Sequence, residues 1–249
     1  MIPKKIHYCW FGTKTKPNDV VDYIDGWNNL LTDYEIIEWN ESNFDINECE
    51  FIANAYKNGK WAFVSDYVRL RVLNEYGGIY LDTDIEIINN FDDYLKYEGF
   101  LGFMYNCALG TAVIGSKKGS KFTADLLQLY KSNKVKLDIP NNILVTEYFI
   151  GEHSAFHLNN EKQILGGILI EPKEIFEQPS FKKKHGISIH HYMNSWINTK
   201  EEVKSYKLFI KEIIYNNHIL LYFLRKYRCS VDMRRNPLYE SFINYGAKK

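Results

Sequence analysis

The stretch "NEYGGIYLDTDIEII", Asn74 to Ile88, places two aspartates two positions apart in an otherwise apolar, β-rich run. An unpaired buried carboxylate costs roughly several kcal/mol, so Asp82 and Asp84 need something to hold. On an extended chain residues i and i+2 point the same way, and the two side chains converge on one point. Both carboxylates are ionised at neutral pH at their ordinary pKa values, and two like charges this close call for a cation between them. Carboxylate oxygens suit Mg²⁺ or Mn²⁺, ions that often share their coordination with substrate phosphates. The run therefore reads as a strand carrying a divalent-metal site for a diphosphate. A bare D-x-D also describes two solvated aspartates at an exposed strand end, so the surrounding sequence has to decide.

Immediately upstream, "WAFVSDYVRLRVLNEY" (61–76) is built of strong helix formers, and Gly77-Gly78 stops it. Ser65, Asp66 and Arg69 fall within about one turn, with Asp66 and Arg69 on a shared face. They form either an ion pair on the helix surface or a carboxylate and guanidinium facing the same crevice as the metal, suited to sugar hydroxyls. Further back, "KKIHYCWFG" is a strand ending in Gly12, "VVDYIDGWNNLL" has helical spacing and "YEIIEWN" is a second strand. Strand, helix, strand predicts a βαβ unit and a parallel sheet. Downstream, "GFLGFMYN" and "ALGTAVIGS" read as strands, 120–131 as a helix and Pro140-Asn141-Asn142 as a loop. "GILIEP" and "GISIHHY" read as late strands. The simplest architecture is one α/β domain over 1–199, with 200–249 as a basic helical C-terminal extension packed on the same domain.

Composition narrows the function classes. With 25% charged and 45% hydrophobic residues the chain reads as soluble and globular. A formal net charge of zero argues against a dedicated nucleic-acid binder. That zero hides an asymmetry: residues 200–249 hold 11 Lys+Arg against 5 Asp+Glu, so an anionic partner is expected for this end. Its apolar stretches "LFIKEII" and "ILLYFL", beside Arg225, Lys226 and Arg228, suit peripheral association with a membrane; a helical hairpin with a solvated basic face fits equally. Cys9, Cys49, Cys107 and Cys229 are far apart and form no C-x-x-C, which points away from zinc or a disulfide framework and towards a reduced cytosolic compartment. "MIPKKIHYCWFG" is too poor in apolar residues for a signal peptide, and no apolar run of about 18 residues predicts a membrane span.

"IPKKIHYCWFG", "WAFVSDYVRLRVLNEYGGIYLDTDIEI" and "HHYMNSW", in that order and spacing, resemble the DXD-containing glycosyltransferases of family 32 and the catalytic domains of the large toxin glucosyltransferases. The string A-x-x-S-D-x-x-R-x-x-x-L-x-x-x-G-G-x-Y-x-D-x-D carries most of the resemblance, which covers residues 2–115 and 186–197. It implies a GT-A-like, Rossmann-like mixed sheet with flanking helices, a UDP-sugar donor, Mn²⁺ or Mg²⁺, and retention of anomeric configuration. By position, Trp10 matches the aromatic that stacks on the donor base, and Asp66 and Arg69 match the pair that holds donor sugar and ribose, with Ser65 beside them a further donor-binding candidate. Tyr80 and Asp82 match donor contacts. Asp84 matches the direct metal ligand beside Asp82, His191 and Asn194 match positions that complete the metal shell, and Trp196 matches an indole that reaches the β-phosphate. His190, on the opposite strand face, is expected to matter for stability. The family's Asn-Ala pair is replaced here by "LGTAVIGS", which leaves Asn106, Asn141, Asn142 and Glu147 open as the residue beneath the anomeric carbon. A front-face mechanism needs no protein nucleophile.

The function these features imply is metal-dependent retaining transfer of a hexose, galactose or glucose, from a UDP-sugar to an oligosaccharide or lipid-linked glycan acceptor. The setting expected is bacterial surface (capsular) polysaccharide synthesis, in the cytoplasm on the inner face of the membrane. A protein acceptor and a non-catalytic carbohydrate-binding module are the alternatives. An aspartyl-phosphate phosphatase fits poorly, because its D-x-D lies in the first strand.

Overall fold

The computed structural model describes residues 1–132, 134–182, 185–193, 213–214 and 217–246. The chain opens with β1 (Lys5–Cys9), α1 (Asn18–Leu30) and β2 (Glu35–Trp39), the βαβ unit expected from the apolar spacing. Helices α2 (Glu50–Lys57) and α3 (Trp61–Tyr76) then carry the chain across the sheet to β3 (Gly78–Leu81). Short β4 (Ile85–Ile87) follows, then the hairpin of β5 (Gly99–Tyr105) and β6 (Ala108–Ser116). The remaining elements are α4 (Lys121–Lys131), α5 (Asn141–Glu152), β7 (Gln163–Leu165), β8 (Ile168–Glu171), α6 (Lys173–Phe176) and β9 (Ser188–His190). Two helices end the described chain, α7 (His218–Arg235) and α8 (Tyr239–Gly246).

Seven strands form one sheet in the order β2-β1-β3-β6-β5-β8-β7, and β4 pairs with β9 in a separate ribbon. β2, β1 and β3 run parallel, while β6 opposes both β3 and β5, and β7 opposes β8. The α/β class and the mixed sheet with flanking helices are as expected. The two-residue connection between β5 and β6 dictates their antiparallel pairing, since so short a link cannot carry a parallel crossover.

Helix α3 positions the site. Val64, Tyr67, Val68, Leu70, Val72 and Leu73 are all buried, because the helix packs on the sheet on one side and against α2 and α4 on the other. Gly77 ends it at φ +66°, ψ 179°, with its N–H on the Leu73 carbonyl. Gly78 follows at φ +118°. A Cβ on Gly77 would lie 2.7 Å from the Lys118 nitrogen, and one on Gly78 2.8 Å from His7 Nε2, so both conformation and space require glycine. His7 is fully buried, its Nε2 on the Gly77 carbonyl at 2.8 Å while Trp39 Nε1 donates to its Nδ1 at 3.1 Å. Only the neutral Nε2–H tautomer satisfies both contacts. Burial lowers its pKa to about 4, against a smaller upward pull from the Gly77 carbonyl.

Two elements depart from the sequence reading. The single strand expected over "IYLDTDIEII" is broken: β3 stays in the large sheet, β4 turns out to meet β9, and residues 82–84 form the turn between them. The Ile85 N–H donates to the Asp82 carbonyl to close this turn, and Trp27 Nε1 donates to the Ile85 carbonyl at 2.7 Å, pulling β4 onto α1. The loop expected at Pro140 is the start of α5, with Pro140 just outside the first turn, where its missing N–H is tolerated.

Candidate active site

Asp82 and Asp84 lie at the carboxyl end of β3, beside the carboxyl end of β1, where the chain's path through the sheet reverses direction. Open α/β sheets bind ligands at such switch points. A cleft opens there, lined by Trp10, Trp61, Ser65, Arg69, Tyr80, Asp82, Asp84 and His190, among others. The aspartates converge across a turn rather than along one strand. Asp82 remains tied to the sheet, its N–H donating to the Ala112 carbonyl at 2.8 Å, while Asp84 is buried.

Arg69 reaches this turn from α3. Its Nη2 lies 3.0 Å from Asp66 Oδ1 and 3.3 Å from Asp82 Oδ1, and Nη1 donates to the Thr111 carbonyl at 2.6 Å. The guanidinium carbon sits 4.5 Å from the Tyr80 ring centroid, and the Tyr80 hydroxyl donates to Asp82 Oδ1 at 3.0 Å. With side-chain exposures of 5% for Arg69 and 12% for Asp66, this is no surface ion pair. Burial pulls the Arg69 pKa down, but Asp82, Tyr80 and Asp66 push it up on balance, so the cation is permanent. Burial raises Asp66 to about 6 against the opposing pull of Arg69, and raises Asp82 in the same way.

The structure corrects the histidine assignment. His190, not His191, faces the aspartates: Asp82, Asp84 and His190 each offer a ligand atom within 4.8 Å of the others. His190 Nε2 is 3.2 Å from Asp84 Oδ1 and its Nδ1 is 2.7 Å from Glu177 Oε2. His191 points the other way, with Nε2 2.9 Å from Glu86 Oε2 and its ring stacked on Tyr23 at 4.8 Å. Successive residues of a strand face opposite sides, so only one histidine can meet the turn. Pairing of β9 with β4, Ile85 opposite His190, decides which. Tyr192 then adopts φ +51°, rare for a non-glycine residue, and its ring folds back over His190 at 3.9 Å. Asn194 and Trp196 lie outside the described residues.

Whether these groups fit a divalent ion is decided by their chemistry. Two carboxylates and an imidazole are oxygen and nitrogen donors suited to Mn²⁺ or Mg²⁺. His190 already acts as a cation here: burial lowers its pKa, but Asp84 and Glu177 together push it up to about 10. Asp84 is the reciprocal case. Burial raises it, yet His190 and the Met193 N–H, which donates to Oδ2 at 2.8 Å, bring it down to about 2. The carboxylates thus favour positive charge at this point, which a metal ion would supply in place of the proton on His190. Glu177 is the partner that fixes the other ring nitrogen, the second contact that metal-binding histidines usually have. It is 2% exposed, also receives the Tyr192 hydroxyl, and fills the space a side chain at position 110 would take, 2.1 Å from a Cβ on Gly110.

Trp10 lines the cleft, anchored by Nε1 donation to the Lys14 carbonyl at 2.8 Å with Lys16 5.8 Å from its ring. Trp61, at the start of α3, is a second indole in the cleft that the sequence reading did not single out. Ser65 lines it too, with its hydroxyl on the Trp61 carbonyl. None of Asn106, Asn141, Asn142 and Glu147 lines this cleft. Asn106 accepts from Lys173 Nζ at 2.7 Å, Asn141 is buried against the Tyr130 hydroxyl, and Asn142 and Glu147 line a separate groove beside α7. Glu177 and Trp61 carried no local signal: one sits in "EIFEQP" without a motif, and the other looks like any tryptophan opening a helix.

Residues 17–101 match the family described as "Glycosyltransferase sugar-binding region containing DXD motif". The matched stretch runs from α1 to the first residues of β5 and includes Asp66, Arg69, Asp82 and Asp84. It is also similar to inositol phosphoceramide mannosyltransferase 3 of Schizosaccharomyces pombe (strain 972 / ATCC 24843). They share 30% identity over 142 residues, which cover 53% of this chain and 37% of that protein. The chain thus spans well under half the length of this curated relative. Among solved structures it is similar to the PaToxG glycosyltransferase, with TM-score 0.47 and 18% identity over 61% of this chain and 70% of that one. It is likewise similar to a glycosyltransferase involved in the glycosylation of the major capsid of PBCV-1, with TM-score 0.45 and 9% identity over 78% and 95%.

Proposed function

We propose that this protein is a metal-dependent, retaining glycosyltransferase that moves a hexose from a nucleotide-sugar to a glycan acceptor. The observation that carries the reading is the meeting of Asp82, Asp84 and His190 on one point in a cleft, with both aspartates inside the matched DXD region. Asp82, Asp84 and His190 would hold Mn²⁺ or Mg²⁺, which when bound neutralises charge on the departing diphosphate. Trp10, with Trp61 beside it, offers ring faces for the nucleotide base. Arg69, held by Asp66 and Asp82, keeps a fixed positive charge at the cleft wall, and Asp66 and Ser65 complete the side that would meet the donor sugar and ribose. Glu177 orients His190. Asp66, a carboxylate outside the metal cluster, is paired with Arg69 at 3.0 Å, which supports a front-face course without a protein nucleophile.

For the sugar, galactose or glucose from a UDP donor is the reading the sequence resemblance supports. The name of the S. pombe relative adds mannose as a second reading and makes a lipid-borne acceptor the one to test first. The test is a panel of UDP- and GDP-sugars incubated with Mn²⁺, scored for nucleoside diphosphate release and, with an acceptor, for the anomeric configuration of the product by NMR. One donor should release diphosphate only with metal present. No release from any donor, with Mn²⁺ or with Mg²⁺ in its place, would overturn the proposal, and an inverted product would overturn its retaining part.

A further inference from the structure

Helix α7 is amphipathic in the wrong direction for a helix that only packs on its own domain. Its inner face is seated on the body through Leu221, Arg225 and Cys229, all buried. Arg225 Nη2 donates to the His191 carbonyl at 2.6 Å, and its guanidinium lies 5.1 Å from the Tyr192 ring. The outer face should then be polar, yet Ile219, Leu220, Phe223 and Tyr227 are 54%, 44%, 56% and 69% exposed. Ile219, Phe223 and Tyr227 are spaced by four, and Leu220 lies three before Phe223, so the four side chains make one stripe. Phe181, also exposed, extends the apolar surface beside it, its ring edge-on to Tyr222 at 5.5 Å.

The exposed charges that α7 itself sets along this stripe are basic. Lys226 is three residues on from Phe223 and Arg234 seven on from Tyr227, so both lie along the stripe; Arg228 and Arg235 are exposed further round the helix, and Lys182 follows Phe181. The one carboxylate of α7, Asp232, is also exposed, but it is set about two turns on from Arg225, round the helix from the stripe. A row of large apolar side chains edged on its own helix by cations matches the boundary of an anionic bilayer. No described helix is long and apolar enough to cross a membrane, so the attachment is peripheral.

We infer that the outer face of α7 docks on an anionic lipid surface, with Phe223 and Tyr227 entering the headgroup region and Lys226 and Arg234 meeting lipid phosphates. This binding does not depend on the transfer reaction proposed above. If both hold, the lipid surface lies about one helix diameter, roughly 10 Å, from the segment that carries His190, within reach of an acceptor borne on lipid.

Flotation of the whole protein with vesicles of phosphatidylcholine, with and without phosphatidylglycerol, tests it. Binding is expected to the anionic vesicles alone and to weaken as salt is raised. Phe223→Glu with Tyr227→Glu should abolish it. Lys226→Glu with Arg234→Glu should lower the vesicle partition by at least about 30-fold, from roughly fivefold per cation near such a surface. All four residues are exposed, so both variants should keep the wild-type melting temperature, and a variant that keeps it yet floats like wild type overturns the proposal. So does wild-type protein that ignores anionic vesicles. Light scattering addresses a second copy as the occupant: a dimer that Phe223→Glu dissociates would also overturn it.

Discussion

Binding of Mn²⁺ should displace a proton from His190, and the affinity should therefore climb with pH. The imidazole sits between Asp84 Oδ1, 3.2 Å from Nε2, and Glu177 Oε2, 2.7 Å from Nδ1, in a buried setting. Burial pulls its pKa down, and the two carboxylates more than reverse that, bringing it to about 10. A metal needs the neutral ring, so below that pKa the ion competes with a proton for Nε2. Each pH unit is then worth about tenfold in apparent affinity, or about 1.4 kcal/mol, and the gain from pH 7 to pH 9 should be about a hundredfold. Calorimetry at constant pH in two buffers of different ionisation enthalpy gives the number of protons released, expected to approach one per ion near neutrality. Glu177→Gln removes one of the two charges that hold the proton while leaving the side-chain volume, so proton release should fall and the pH slope flatten. An affinity that is flat with pH, or wild-type binding that releases no proton, would refute His190 as the ligand.

Asp84→Asn should abolish metal-dependent diphosphate release and weaken Mn²⁺ binding measured by electron paramagnetic resonance; full turnover in excess chelator would sink the metal assignment. Arg69→Leu leaves Asp66 and Asp82 without their buried counter-charge and should destabilise the protein by about 3–5 kcal/mol in urea denaturation. A change below about 1 kcal/mol is what a surface pair would give, and would contradict the burial found here. For His7 the folded pKa of about 4 lies below the ordinary 6.5, so between these values the unfolded chain binds the extra proton. Stability should therefore fall as pH drops through this window, by up to about 3 kcal/mol, and His7→Gln should lose that part of the acid sensitivity. Identical pH dependence in the variant would show that His7 is not the group responsible.

Local sequence was enough wherever a property depends on neighbours along the chain. The run 61–76 could only be a helix, and Gly77-Gly78 could only end it in a conformation closed to other residues, so the path from Arg69 to Asp82 was readable before any fold was known. The two aspartates two positions apart were expected to converge along one strand, and they do meet, though across the turn between β3 and β4. Trp10, singled out through the family resemblance, lies just past the end of β1 and lines the cleft. Other features were set by contacts between distant segments. Whether His190 or His191 meets the aspartates depends on the phase of β9, and a shift of one residue exchanges the two faces. That phase comes from pairing with β4 across about a hundred residues of chain, and the Ile85 carbonyl's bond to Trp27 holds β4 in place. Glu177 matters only because the fold sets it behind His190 and opposite a glycine of β6. For α7 the sequence offered the apolar and basic residues but left open whether they pack inward or face out; helical periodicity reveals that a helix has faces, while only its packing through Arg225 decides which of them is left to solvent.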